Sequence, residues 1–490
     1  MSTQSTTARR IPARSPRPAP AAAPESAGRP HWLVLPVVLA GIFVTTLDFF
    51  IVNVAIPSLQ TDLRSGASAV EWVVAGFGLA YGVGLIPGGR LGDLYGRRRM
   101  FLVGLALFTA ASLACGVAQS SGFLVVARVL QGLAAALVTP QVLALLGSVF
   151  TGPDRARVFT GYGLAMGLAA VFGQLAGGLL IEADVFGWGW RSCFLVNLPV
   201  CLVIMALTVA FVPESRTGSG AGLDLPGVAV LTLAFAALLL PLIEGRDHGW
   251  PAWTWACFAA SAALLALFTA VERRTAARGG SPLVDLGLFR DRVFTVGLAC
   301  QVAFCCGQAS FFLVLALYLQ AGCGLSALQA GLLFGAIGAG YMYTSMNSAK
   351  YTARLGRRVV TLGAALMAAG LVDLGVTATH LGTGGHVARL IPGLVVDGAG
   401  MGLAIAPLAA MTLAGVDPRH AGSASGMMST GQQVGGSVGV AVIGVVFYDA
   451  LGAHPAASSY PHAFALGTVF LLAVAAAVAL LTQVLPRPAE

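Results

Sequence analysis

The stretch from Gly88 to Met100 of this 490-residue chain reads GGRLGDLYGRRRM. An apolar run from Trp72 to Pro87 precedes it, and a second from Phe101 to Ala118 follows it. Two such runs joined by a short segment with four arginines predict a membrane hairpin whose turn faces the cytoplasm. Glycines let two helix ends approach closely, and we expect Asp93 to pair with Arg97 four residues later.

The composition of the chain points to the lipid bilayer. Hydrophobic residues make up 57% of the sequence and charged residues 10%, which predicts an all-α polytopic membrane protein. The net charge of +8 is scattered over loops, so no nucleic-acid partner is expected. No nucleotide-binding loop or triad spacing is present, so we predict that the chain is not an enzyme. The eight cysteines lack paired metal-ligand spacing, and neither metal nor cofactor is expected.

Fourteen apolar segments of bilayer-spanning length follow one another along the chain. An even number of spans places both termini on one side. If that side is the cytoplasm, it carries 23 of the 28 lysines and arginines, and six of the seven tryptophans fall at the opposite span ends. We therefore expect both termini in the cytoplasm. The predicted spans are 32–54, 72–89, 100–118, 122–146, 157–181, 193–212, 224–243, 253–271, 293–319, 327–347, 359–379, 388–412, 424–447 and 463–484.

A faint internal repeat suggests two homologous halves. Gly96-Arg97-Arg98 aligns with Gly356-Arg357-Arg358, although Asp93 then falls on Ala353. Chance could also align three residues in arginine-rich loops. We predict a disordered cytoplasmic tail at 1–30, a six-helix half at 31–213, two extra helices with a cytoplasmic linker at 214–292, a second six-helix half at 293–484 and a cytoplasmic C-terminus at 485–490.

Two charged residues interrupt the apolar spans at matching depth. Asp48 in the first span lies roughly 24 Å from the inner end, and Arg128 in the fourth lies roughly 9 Å from the outer end, at a helical rise of about 1.5 Å per residue. Charges in hydrocarbon are costly, so each is expected to pair or to face a cavity. The alternatives are an interfacial Asp48 at the end of a shorter span, and an Arg128 that snorkels to the outer surface.

Further polar residues inside the spans are candidates for a substrate cavity. Intramembrane acids are functional candidates by default, and a hydrogen-bonded packing role is the alternative for both acids in the set. The glutamines of the thirteenth span could line a cavity or join helices. The candidates are Asn53, Gln131, Gln174, Asp373, Asp397, Gln432 and Gln433.

Four motifs together resemble one family. The stretch 88–100 is similar to the GxLGDxxGRRR loop between helices 2 and 3 of the major facilitator superfamily. Three further strings resemble its 14-helix drug:proton antiporter branch, the quaternary-ammonium and multidrug efflux type: LDxxIVNVAxP at 47–57, RxxQGxxAA at 128–136 and WRxxFLVNLP at 190–199. The fifth span departs from the pattern, because Gly173-Gln174 replaces the usual Gly-Pro pair, which removes one cause of a kink.

The resemblance implies a major facilitator fold with two six-helix halves and two extra central helices. It implies proton-driven efflux of amphipathic, possibly cationic, drugs or antibiotics by a monomer in the bacterial cytoplasmic membrane, with the small-molecule substrate and protons as partners. Asp48 and Arg128 would couple to protons, and Gly89, Arg90, Gly92, Asp93, Gly96, Arg97 and Arg98 would form a conformational switch. A proton-coupled transporter of one endogenous metabolite on the same fold is the alternative.

Overall fold

The computed structural model describes residues 31–150, 153–216, 224–280, 282–382, 385–413, 416, 421–452 and 456–484. The predicted tail at 1–30 and the C-terminus at 485–490 lie outside this described part. All regular secondary structure within it is helical, as α1 (Val34–Leu63), α2 (Ala67–Tyr95), α3 (Arg97–Gly116), α4 (Ser121–Val149), α5 (Pro153–Ala183), α6 (Ser192–Leu195), α7 (Asn197–Phe211), α8 (Leu225–Glu244), α9 (Ala252–Ala277), α10 (Arg292–Leu317), α11 (Ala327–Leu355), α12 (Arg358–Leu381), α13 (Ile391–Leu413), α14 (Ala421–Leu451) and α15 (Tyr460–Val484).

Fourteen membrane spans emerge from these helices. Thirteen segments of the described chain are long and apolar enough to cross a bilayer, with α6 and α7 joined in the single segment Gly189–Phe211. Helix α11 is 29 residues long but less apolar, and it completes the set. The prediction of an all-α protein with fourteen spans is confirmed. Some predicted spans are shorter than the helices, because α1 continues to Leu63 and α2 to Tyr95.

The stretch from Gly88 to Met100 is mostly helix rather than loop. Helix α2 runs through Gly88 and Asp93 to Tyr95, and α3 begins at Arg97. Only Gly96 separates them, with a φ of 106° that an L side chain rarely adopts. The polar loop expected here is therefore a single glycine hinge between two long helices.

The spans form two bundles that meet along two helix pairs. Within the first six spans, α2 packs on α4, α1 on α5 and α3 on α7; within the last six, α11 and α12 pack on α13, and α10 on α14. Across the bundles, α2 packs against α14 and α5 against α11. We call the end that holds the α2–α3 turn the arginine end, and the opposite end, which holds Trp72, Trp190 and Trp250, the tryptophan end.

The two bundles are closed at the tryptophan end. The Gln320 side chain donates to the Val54 carbonyl at 3.0 Å, and the Ser437 hydroxyl donates to the Ala75 carbonyl at 3.1 Å. Helices α5 and α11 touch where Gly178 meets the backbone of Ala327. Toward the arginine end, beyond the contact of Gly167 with Tyr341, Gly163 of α5 lines an open space in which a Cβ would find nothing within 4 Å.

The extra hairpin, α8 and α9, packs on the outside of the bundles against α2 and α14. Its turn carries Arg246, which donates to Glu71 of α2 at 3.2 Å and to the Gly444 carbonyl of α14 at 3.1 Å. The Trp72 indole of α2 donates to Glu244 at 2.9 Å. The hairpin is peripheral, yet it ties both bundles together at the tryptophan end.

Replacing Arg246 with methionine should lower thermal stability. Glu71 is fully buried, and removing one partner of a buried ion pair typically costs about 3–5 kcal/mol. Buried cysteines such as Cys115 and Cys300 allow unfolding to be followed in detergent with a thiol-reactive fluorogenic dye. Asp247→Asn is the control, since it removes only the exposed side of the same cluster. Equal melting temperatures for Arg246→Met and wild type would refute this role.

Candidate functional site: a central cavity and a buried charge network

A cavity of about 290 Å³ lies between the two bundles. Aromatic rings and amides from both bundles line it, and no Asp, Glu, Lys or Arg is found among its described lining residues. Such a wall, mostly apolar with a few polar groups, suits a drug-sized amphipathic molecule. Its rings are Phe49, Phe50, Tyr81, Phe304, Phe312, Phe334 and Tyr341, and its amides are Gln174, Gln301, Gln308, Gln432 and Gln433.

Two of these amides have unused hydrogen-bonding capacity. Gln174 is buried, and both its side-chain nitrogen and its oxygen lack a partner, as does the side-chain oxygen of Gln301. Buried polar atoms are normally hydrogen-bonded. These atoms are therefore available to orient a bound molecule, and Gln174 stands where the family pattern has proline.

A buried charge network lies inside the first bundle. Arg128 Nη1 donates to Asp48 Oδ2 at 2.7 Å and to Gln131 Oε1 at 2.7 Å, while Arg128 Nε donates to the Val73 carbonyl at 3.1 Å. Gln131 Nε2 donates to Asp48 Oδ1 at 2.9 Å. Both charged side chains are fully buried, so the alternatives of an interfacial Asp48 and a snorkelling Arg128 are wrong.

Two members of this network were missed in the sequence. Asn197 at the start of α7 donates to Asp48 Oδ1 at 2.6 Å and to Ser112 Oγ at 3.2 Å. The Ser112 hydroxyl of α3 also accepts from Gln131 Nε2 at 2.7 Å. An asparagine inside the apolar string 194–199 was the available signal. That string resembles a family motif, and the resemblance alone does not say that the asparagine bonds to Asp48.

The network faces away from the cavity. Asp48 is 0% exposed, whereas its neighbours Phe49 and Phe50 line the cavity. The guanidinium carbon of Arg128 lies 4.2 Å from the centroid of the Phe77 ring, which covers it on one side. Protons bound here and a molecule in the cavity would thus occupy separate compartments of the same bundle.

The predicted switch residues surround the α2–α3 hinge at the arginine end. Arg97 donates to Asp93 Oδ1 at 3.0 and 3.3 Å, which confirms the expected pairing, and to the Ala144 carbonyl of α4 at 3.3 Å. The Glu214 carboxylate beyond α7 accepts from the backbone nitrogens of Arg98 and Arg99 at 3.1 and 3.2 Å. These contacts brace the hinge against its own bundle.

Small residues at this hinge set how closely α2 approaches α4. Gly88 lies against the Ala136 carbonyl, and Gly92 lies against the side chain of Gln141. Gln141 Nε2 donates to the Gly88 carbonyl at 2.7 Å. Gly89 and Arg90, from the same set, are half-buried, and the nearest atom to a Cβ at Gly89 would be Pro140 Cβ at 3.5 Å.

Four of the predicted cavity residues lie outside the cavity. Asn53 donates within its own helix to the Phe50 carbonyl at 3.2 Å, and Gln131 belongs to the charge network. The Asp373 side chain is exposed. Asp397 is buried in a separate crevice of the second bundle. Polarity alone does not show which face of a helix points into the cavity, and that face decides whether a polar residue lines it. Gln174, Gln432 and Gln433 do line the cavity.

Gly88→Ala should weaken the fold much more than Gly89→Ala. A methyl group at Gly88 would overlap the backbone oxygen of Ala136, which cannot rotate away, and overpacking of this kind typically costs about 1–3 kcal/mol. The neighbouring methyl at Gly89 would make an ordinary contact. Melting curves with the thiol-reactive dye measure the difference. Equal melting temperatures for the two variants would contradict the close α2–α4 contact.

Comparison with known proteins gives the same architecture. A protein-family model described as Major Facilitator Superfamily matches residues 38–440 and 300–490. The chain is 39% identical to a probable actinorhodin transporter of Streptomyces coelicolor, over 87% of this chain and 74% of that protein. It is 34% identical to the puromycin resistance protein pur8 of Streptomyces alboniger, over 93% and 90%.

A solved structure agrees on the fold. The crystal structure of a bacterial homolog to the human lysosomal transporter Spinster, in an inward-facing and unoccupied conformation, has a TM-score of 0.67 at 17% identity, over 94% of this chain and 100% of that one. Fourteen spans, a central cavity and the family match agree with one another. The chain belongs to the major facilitator superfamily of membrane transporters.

Proposed function

We propose that this transporter exports amphipathic aromatic drugs or antibiotics across the bacterial cytoplasmic membrane, driven by protons. The observation that carries the substrate class is the cavity, whose wall combines rings with glutamine amides. Relatives over most of the chain bear the names actinorhodin transporter and puromycin resistance protein, which supports drug export.

The cavity favours uncharged substrates over cations. A cation in a low-dielectric cavity needs an acid or a similarly strong counter-charge, and the described lining offers none. Amides such as Gln174 and Gln301 match neutral carbonyl and hydroxyl groups instead. We therefore narrow the expected drug class to neutral, ring-bearing molecules, and the cationic preference inferred from the resemblance is not part of the proposal.

Protons would act through Asp48. The carboxylate accepts three hydrogen bonds, from Arg128, Gln131 and Asn197, and a proton on Oδ2 would face the Arg128 donor. The arrangement therefore suits the ionised acid in this state. If rocking of the bundles loosens the contact, the acid loses its donors and takes up a proton. Proton and drug would then favour opposite-facing states, which couples their movements.

The arginine end would face the cytoplasm, because cytoplasmic loops carry the excess of lysine and arginine. The bundles are closed at the tryptophan end, and open space lies beside Gly163 of α5 toward the arginine end, so we infer that this conformation is inward-facing. Drug would enter the cavity from the cytoplasm here. We further propose that one chain suffices, since the cavity and the network each lie within it.

A pair of dyes tests the function and its substrate class. Nile red is neutral and ethidium is a cation, and both are planar and fluorescent. In a pump-deficient host, cells that express the protein should expel Nile red after energisation and lose this ability when a protonophore is added. Their ethidium efflux should equal that of cells carrying the empty vector. Ethidium efflux without Nile red efflux would reject the neutral class. Efflux that survives the protonophore would reject proton drive.

Arg128→Lys should reduce proton-driven Nile red efflux by roughly tenfold or more, because a lysine cannot hold Asp48, Gln131 and the Val73 carbonyl in the geometry of a planar guanidinium. Arg191→Lys is the matched control. Arg191 forms an equally short pair with Asp62, but both side chains are partly exposed, and such pairs contribute about 0–1 kcal/mol. Similar initial efflux rates for the two variants would argue against a coupling role for Arg128.

Asp93→Asn should slow efflux while leaving membrane insertion intact. The substitution weakens the charge-assisted contact with Arg97 that braces the α2–α3 hinge in this conformation, so it should shift the balance between the two facing states. Expression level and surface topology, measured alongside Nile red efflux, separate transport from insertion. Wild-type efflux by a correctly inserted Asp93→Asn protein would exclude the hinge as a switch.

A further inference from the structure

A lone acid lies in the core of the second bundle. Asp397 of α13 is 1% exposed, and neither of its carboxyl oxygens has a hydrogen-bond partner. It lines a narrow crevice between α10, α12, α13 and α15 whose other walls are apolar, among them Phe304, Met367 and Met401. An unpaired carboxylate in such surroundings is very costly. We therefore expect this acid to bind a proton or to have a partner in another conformation.

The position of this acid is related to that of the Asp48 network. Gly132 of α4 packs on the Phe77 carbonyl of α2, and Gly398 of α13 packs on the Ile337 carbonyl of α11. Because the repeat pairs the α2–α3 hinge with the α11–α12 hinge, α13 corresponds to α4. Asp397 therefore takes the place of Gln131, the residue just before the packing glycine.

The second bundle has no acid at the position that corresponds to Asp48. Phe49 and Phe50 of α1 line the central cavity, and so do Gln308 and Ala309 of α10. The residue before each pair faces its own bundle, and on α10 this residue is Gly307, which lines the crevice. The second bundle thus keeps one acid at the position of the first network and lacks the guanidinium, because Leu394 stands where α4 has Arg128.

We propose that Asp397 is a second proton-binding site of this transporter, separate from Asp48 and Arg128. The inference rests on the proposed proton-driven export and adds a second acid to it. The crevice has a volume of about 20 Å³, enough for about one water molecule and too small for a drug-sized molecule. A proton, carried by water, is the ligand that fits.

No other charge competes for this role within the crevice. Asp397 is the one ionisable residue among its described lining residues. Away from the helix ends, the other ionisable groups of α10 and α12 are Cys300, Cys305, Cys306 and Asp373, and none of them lines the crevice. Helix α11 carries Tyr341, Tyr343, Lys350, Tyr351 and Arg354, and none of these lines it either. The arginines, histidines and Tyr460 of α10, α12 and α15 stand within three residues of helix ends.

The central cavity supplies a route for the proton. Phe304 and Met401 line both the crevice and the cavity, so their side chains form the partition between them. Methionine is flexible, and a change of its rotamer opens such a partition without moving a helix. In the present state the acid is shielded and holds its proton; when the partition opens, water reaches the carboxyl and the proton leaves to the cavity.

Infrared spectroscopy of the purified protein tests proton binding without any drug. The carbonyl stretching band of a protonated carboxylic acid should disappear as the pH is raised, and this titrating band should be absent from Asp397→Asn. Asp373→Asn is the matched control, since it removes an exposed acid of the same bundle and should keep the band. Asp397→Ser, which occupies less volume, serves if the asparagine variant does not fold. A band unchanged by both Asp397 variants would overturn the proposal.

Transport then shows whether the bound proton is exchanged. In inverted vesicles with the membrane potential clamped, the Nile red accumulation ratio of Asp397→Asn should fall by up to about tenfold per unit of pH difference, because one proton per unit is worth that factor. A variant that lacks the band yet keeps the wild-type ratio would also overturn the proposal. If the band titrates in wild type but no Nile red moves, the proposed export fails while proton binding at Asp397 stands.

Discussion

The buried contact between Asp48 and Arg128 is the constraint on which the rest of the first bundle depends. A guanidinium cannot shed its charge in hydrocarbon, so the protein must surround it with acceptors. Nη1 and Nε of Arg128 donate to one carboxylate, one amide and one backbone carbonyl, contributed by α1, α4 and α2. The Phe77 ring covers the guanidinium, whose Nη2 has no hydrogen-bond partner among the described residues. Asn197 and Ser112 bring α7 and α3 to the same point. One charge thus fixes the relative positions of five helices.

Such a cluster holds the helices together only while its geometry is intact. Buried ion pairs add little net stability, but a broken one is costly. Close packing of small residues keeps the geometry, as where α4 meets α2 at Gly132 and α5 meets α1 at Gly173. We expect a bundle built this way to move as a rigid body, as the proposed rocking of two bundles around a cavity requires. The cavity can therefore change its exposure without its walls being rebuilt.

The sequence predicted much of the fold and less of the site. Span number, the pairing of Asp93 with Arg97 across the α2–α3 hinge and the pairing of Asp48 with Arg128 followed from apolar lengths, spacing and the cost of buried charge. The orientation of Asp373 and Asp397 did not follow, because it depends on which helix face packs against which neighbour. The burial and pairing of Glu71 could not be predicted for a similar reason. Its partner Arg246 is 175 positions away, on a hairpin whose docking place the sequence does not specify.

In the proposed cycle, protonation of Asp48 shifts the transporter between its facing states. Leu164 of α5 and Met346 of α11 are both exposed and can carry spin labels in a cysteine-free background. Pulsed electron–electron double resonance would then measure the distance between these helices near the arginine end. In wild type the distance distribution should change with pH. Asn at position 48 mimics the protonated acid, so Asp48→Asn should show the wild-type low-pH distribution at every pH. An Asp48→Asn variant that still responds to pH as wild type does would contradict a switching role for Asp48.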